Sequence, residues 1–177
     1  MVKTIICTGV MKGEKCLFIS HEEPEVQLRE YLLNMASSDK IWDIEIISEG
    51  VIQQTPFQAY DWTERLIEKS LPVRFLIDGL TALKHAYSEE DFQDIIRSIV
   101  NVAKQYNVTL MMTLIGNSME REMGVSTLAD NILALTLERN GDRIVRRIGV
   151  IKARGSRVDN VMKVLRFTAG GKMSVSN

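Results

Sequence analysis

The run Arg74-Phe75-Leu76-Ile77-Asp78-Gly79-Leu80-Thr81-Ala82-Leu83 decides the class of fold. Pro72 stops the helix-period stretch ahead of it, three apolar residues follow one another, and the strand-like part closes on a carboxylate. A short unbroken apolar run bounded by turn signals reads as a strand buried on both faces, the kind found in parallel sheets under helices. In an open parallel sheet ligands bind beyond the carboxyl ends of the strands. Asp78 therefore stands where Mg²⁺ beside a phosphate is held, directly or through water. The same residue can instead cap the following turn through Thr81.

Outward from this run the chain alternates apolar strands with helix-period stretches, the pattern of an α/β fold with a mostly parallel sheet and flanking helices. Cys16 to Ser20 is a buried strand ending in Ser20-His21-Glu22-Glu23-Pro24, with Pro24 suited to the first turn of a helix through Asn34. Ile44 to Ile47 is a weaker strand, and Asp61 can cap a helix through Lys69. Ser88 caps a long helix in which Phe92, Ile95, Ile96, Ile99, Val102 and Ala103 keep a 3.6-residue period. Thr109 to Leu114 and Ile132 to Leu137 read as fourth and fifth strands. After them Asn140-Gly141 signals a type I′ hairpin and Gly170-Gly171 a second one, so an antiparallel β extension closes the chain.

The 177 residues fit one domain with one core, 45% of them hydrophobic and 25% charged. No apolar run approaches the roughly 18–20 residues of a membrane span, and no signal-peptide pattern opens the chain. Cys7 and Cys16 form neither a disulfide framework nor a metal-ligand spacing, which points to a reducing, cytoplasmic setting. The net charge of −1 excludes a global basic field, yet it conceals a strong polarity. From Glu138 to Arg166 nine basic residues face three acidic ones, a net +6 that leaves −7 for the remainder. Such a tail suits a subunit meeting the acidic part of its neighbour better than it suits nucleic acid.

Two further pairs have side chains suited to chemistry. Glu22 and Glu23 follow the end of a strand; adjacent carboxylates point different ways, so one can face the cleft and orient or deprotonate a water. Both can equally complement the positive end of the helix that follows. Lys152 and Arg154 stand two apart on a strand and project from one face, a device for neutralising a polyphosphate or, alternatively, for keeping an edge strand soluble. His21 is read as a loop residue.

The order of these parts resembles the KaiC-like branch of the RecA-type P-loop ATPases, which also contains archaeal RadA paralogues. The resemblance rests on four segments: Gly13 to Pro24, Phe75 to Leu83, Leu128 to Asn131 followed by Leu137 to Gly141, and Ile151 to Ser156. It implies a RecA-like core over residues 1–177, with ATP and Mg²⁺ as ligands. By the same resemblance Glu22 is the water-activating base with Glu23 beside it, and Asp78 helps hold the metal. Thr113 falls where the family senses the γ-phosphate, although Leu114-Ile115 follow in place of the usual polar residue. Lys152 and Arg154 would act on the nucleotide of the adjacent subunit in a homo-oligomeric, hexamer-type ring. Clock, recombination and motility relatives share these motifs, so a protein partner or DNA contact is not distinguished by them.

The phosphate cradle of such enzymes, G-x-x-x-x-G-K-S/T, has no match in the 177 residues. Lys3-Thr4 corresponds to its last two positions, with Val2 where the final glycine belongs; Lys3 and Thr4 are thus the candidate phosphate and metal contacts. The expectation is an N-terminally incomplete core in which ATP binding and hydrolysis are impaired. Alternatively the chain is a degenerate, non-catalytic binding or assembly module. In that case Val2 to Thr8, rich in residues stiff at χ1, forms a strand near Cys16 to Ser20.

Overall fold

The computed structural model describes residues 2–36, 39–48, 54–116, 125–159, 161–167 and 173–176. They fall into two compact units, Met1–Gly116 and Asn117–Asn177. Among the described residues no helix is long and apolar enough to cross a membrane.

The first unit is a four-stranded parallel sheet in the order β2-β1-β3-β4, with β1 at Cys16–Ser20, β2 at Glu45–Ile47, β3 at Arg74–Asp78 and β4 at Thr109–Met112. The two inner strands are the apolar runs read from sequence, and Leu17, Phe18, Ile19, Phe75, Leu76 and Ile77 are all buried. Strand alternation divides them between two layers. Phe18 and Leu76 meet Ile6 and Val10 of α1 (Val2–Met11) and Leu28 and Leu32 of α2 (Glu25–Ala36). On the other face Ile19 and Ile77 meet Ala59 of α3 (Pro56–Ser70) and Ile95 and Ile99 of α5 (Glu89–Gln105). The short helix α4 (Leu80–Ala86) follows β3 directly.

Two local expectations are corrected and a third holds. Val2 to Thr8 is not a strand but most of α1. The helix penalty of β-branched residues is at most about 0.7 kcal/mol each, whereas burying a side chain such as Ile6 or Val10 yields roughly 1.5–3 kcal/mol. Both are almost wholly buried, so tertiary burial overrides local stiffness. Asp61 lies inside α3, which begins earlier: Thr55 Oγ1 accepts from Gln58 N–H, the Gln58 side chain accepts from Thr55 N–H, and Pro56 opens the helix. Ser88 does cap α5, its Oγ accepting from Asp91 N–H at 3.1 Å.

The second unit carries α6 (Val125–Leu128) and an antiparallel sheet in the order β5-β6-β7-β8. Its strands are Asn131–Asn140, Arg143–Ala153, Lys163–Phe167 and Met173–Ser176. The expected fifth strand thus opens the antiparallel extension rather than adding to the parallel sheet. Asn140 pairs with Arg143, which shifts the hairpin loop by one residue to Gly141-Asp142. Only Gly141 has positive φ there, the pattern of a type II′ turn rather than I′. Gly170-Gly171 lies outside the described residues, but the strands on either side of it, β7 and β8, pair antiparallel.

Candidate functional site

Strands β1 and β3 end together, Ser20 in register with Asp78. His21 N–H donates to the Asp78 carbonyl at 3.1 Å and extends the ladder by one step. There the chain bends. Ser20, nearly fully buried, accepts from Glu22 N–H at 3.3 Å and Glu23 N–H at 2.9 Å through its one hydroxyl. Two backbone donors that a strand end leaves without ladder partners are satisfied by one side chain. Pro24 O accepts from Leu28 N–H as α2 begins.

The bend separates the two glutamates. The Glu23 carboxylate reaches Lys3 in the first turn of α1, with Nζ 2.6 Å from Oε2. Lys3 also stands over the Tyr31 ring, 4.5 Å from its centre. Glu22 lies instead against the end of β3: a Cβ built on Gly79 would come 2.9 Å from Glu22 Cγ. The expectation that the adjacent carboxylates diverge therefore holds in this structure.

Asp78 is oriented by the neighbouring strand. Thr113, just past β4, donates its hydroxyl proton to Asp78 Oδ1 and accepts Gly79 N–H at 2.9 Å. Its backbone is tied to the same strand end, with Thr113 N–H donating to Ile77 O at 3.1 Å and Thr113 O accepting from Leu80 N–H at 2.9 Å. The alternative of Asp78 capping through Thr81 is not what forms. Gly79 is the N-cap of α4 with no side-chain capping bond, and Thr81 Oγ1 accepts from Ile115 N–H at 2.9 Å. Ile115 itself is exposed, so the Leu114-Ile115 departure adds no polar group to this edge.

One edge of the parallel sheet thus gathers Asp78, Thr113, Glu22, Glu23 and Lys3. Thr4 follows Lys3 in α1 and its carbonyl accepts from Thr8 Oγ1 at 2.7 Å. Among the described residues no three His, Cys, Asp or Glu side chains group as a metal cage. The hard carboxylate of Asp78 beside a hydroxyl nevertheless fits Mg²⁺, which proteins hold through one or two carboxylates together with substrate phosphates and water. An apolar cavity near His21, lined by Ile19, Trp62, Ile77 and Leu83, measures about 30 Å³. Such a cavity has room for water-sized guests.

Lys152 and Arg154 belong to the second unit. Lys152 Nζ donates to Ser126 O at 2.9 Å and Thr127 O at 3.5 Å, and Arg154 Nη2 donates to the same Thr127 O at 3.3 Å. Both side chains therefore reach one carbonyl oxygen, although Arg154 is not itself part of the strand. Arg154 lies just beyond the end of β6 and also pairs with Asp130, Nη1 to Oδ1 2.9 Å. Both cations are thereby engaged within their own chain.

Sequence reading missed Ser20 and Gly79 as parts of this site. The signal for Ser20 was present, a small hydroxyl residue two positions before the glutamate pair. Nothing local could have linked Gly79 to Glu22, which are far apart along the chain.

The family model described as "ATPase: KaiC" matches residues 1–175. The chain is similar to the circadian clock oscillator protein KaiC of Thermostichus vulcanus, 29% identical over 97% of this chain and 35% of that protein. It is 25% identical to the protein of the same name in Nostoc sp., again over 97% of this chain and 35% of the relative. With the circadian clock protein KaiC3 of Synechocystis sp. it shares 26% identity over 90% of this chain and 33% of the relative. The chain spans about a third of the length of these curated relatives. A match over nearly every residue, including the strand ends that carry Glu22 and Asp78, places the chain in the KaiC ATPase family.

Proposed function

We propose that the sheet edge is the water- and metal-side of a KaiC-type ATP site. Glu22 takes a proton from the attacking water, a role worth roughly 10²–10⁴ in rate. Asp78 helps hold Mg²⁺, which when bound supplies charge neutralisation at the phosphates. Thr113 keeps the Asp78 carboxylate aimed; its single hydroxyl proton is already given to Asp78, so orienting that group is its role in this state. In this reading Lys3 and Thr4 meet phosphate and metal, Lys3 after leaving Glu23. Lys152 and Arg154 serve the nucleotide of an adjacent subunit in a ring, where a trans-acting cation contributes about 10³–10⁵.

The observation that carries this reading is the convergence of Glu22, Asp78 and Thr113 at one carboxyl edge, the position where open parallel sheets bind ligands. The 177 residues have no match to the glycine-rich phosphate loop, whose backbone N–H groups bind phosphate collectively. We therefore propose that this 177-residue chain by itself turns ATP over slowly or not at all. Robust Mg²⁺-ATP hydrolysis by the purified chain, abolished by Glu22→Gln, would overturn that statement while supporting the role of Glu22.

A second reading, an assembly module without turnover, is favoured by the internal pairing of Lys3, Lys152 and Arg154. It predicts oligomers in light scattering whether or not Mg²⁺-ATP is present. Nucleotide-dependent assembly would count against it.

A further inference from the structure

Among the described residues no ion pair or side-chain hydrogen bond fixes the Glu22 carboxylate, yet a base must be held within hydrogen-bond reach of its water. Its backbone is held, because Ser20 accepts from Glu22 N–H. Its side chain lies over a glycine. A Cβ on Gly79 would sit 2.9 Å from Glu22 Cγ and 3.1 Å from its Cδ and Oε1. Real Cβ atoms essentially never approach so closely, and Cγ is too near the backbone to yield without a change of rotamer. Gly79 also has φ +93°, a conformation that side-chain-bearing residues rarely adopt. Its N–H is bonded to Thr113 Oγ1, which itself bonds Asp78.

We infer that Gly79 is the positioning residue for Glu22: the absent side chain leaves the space in which the Glu22 carboxylate is held beside the Asp78 end of β3. Any larger residue at position 79 turns that carboxylate away while Thr113 and Asp78 remain bonded. The inference rests on the reading of Glu22 as the base, and it identifies what sets that base in place.

Backbone strain and the steric effect are separable within this chain. Gly141 has φ +61° and nothing within 4 Å of its would-be Cβ, so Gly141→Ala reports strain alone. In urea denaturation G141A should raise the unfolding constant by about tenfold. G79A should raise it by a further several-fold, and Glu22→Ala should remove that extra factor in a double-mutant cycle. With ¹³C-labelled glutamate, the Glu22 side-chain carboxyl resonance should move in G79A and stay in place in G141A. If G79A does not fold, recovery of folding in G79A/E22A supports the inference. If neither folds, a contact between Glu22 Hγ and Gly79 Hα in the NMR spectrum of the unmodified chain decides. A cycle with no coupling and an unmoved carboxyl resonance, or the absence of that contact, overturns it. None of these measurements uses nucleotide, so a failure of Glu22 as base would show in turnover alone.

Discussion

Lys3 Nζ lies 2.6 Å from Glu23 Oε2 and 4.5 Å from the centre of the Tyr31 ring. The first turn of α1 is thereby fastened to the end of β1 and to α2 at once. Both charged side chains are mostly covered, 22% and 31% exposed, so the pair is screened less than a surface ion pair. It also divides the labour of the two glutamates, since Glu23 serves as a counter-ion and only Glu22 remains over β3.

A double-mutant cycle on Lys3→Ala and Glu23→Gln should give a coupling of about 0.5–1 kcal/mol, given the partial exposure. The coupling should fall in 1 M salt. Additive effects of the two substitutions would show that the pair contributes nothing.

Thr113→Val removes both the donor to Asp78 and the acceptor of Gly79 N–H. Leaving such groups unpaired costs about 1–3 kcal/mol. Urea denaturation should show that loss, with Thr113→Ser keeping most of the stability. Equal effects of the two substitutions would mean that the hydroxyl is not what matters.

Burial pushes the Cys16 thiol up to about 11, against a smaller opposing effect of the Arg74 charge, and burial raises Cys7 as well. A group whose folded value exceeds its unfolded value stabilises below the unfolded value and loses that contribution as pH rises through the folded one. Stability should therefore decline between about pH 9 and about pH 11, by on the order of 2 kcal/mol for Cys16. Cys16→Ala should flatten the decline. At pH 7.5 both thiols should react with a disulfide reagent only on unfolding; fast labelling of the native chain would contradict this.

Glu45 is held below the usual carboxylate range, first by the hydroxyl of Ser70 and then by Lys69. The hydroxyl donates to Oε2, and Lys69 Nζ lies 3.0 Å from Oε1. With the folded value depressed, the stabilisation is present above the unfolded value and lost as pH falls through the folded one. Ser70→Ala should bring acid unfolding to higher pH, measured by circular dichroism. No shift of the acid midpoint would remove Glu45 from the account.

Sequence alone determined the elements whose local pattern and burial agree. The apolar cores of β1 and β3 and the one-sided face of α5 admit only buried strands and a half-buried helix. The divergence of adjacent carboxylates after β1 follows from backbone geometry, and the close of Arg74-Phe75-Leu76-Ile77-Asp78 put a carboxylate at the sheet edge. Tertiary structure decided the rest, because the deciding partners are distant along the chain. The segment from Val2 is a helix because Ile6 and Val10 find a core that no local propensity announces. Thr113 turns to Asp78, Lys3 to Glu23, and Glu22 lies over Gly79, because parallel strands in register bring their ends to one place. Side-chain pairing across such an edge is set by packing geometry, which a linear pattern of polarity does not encode.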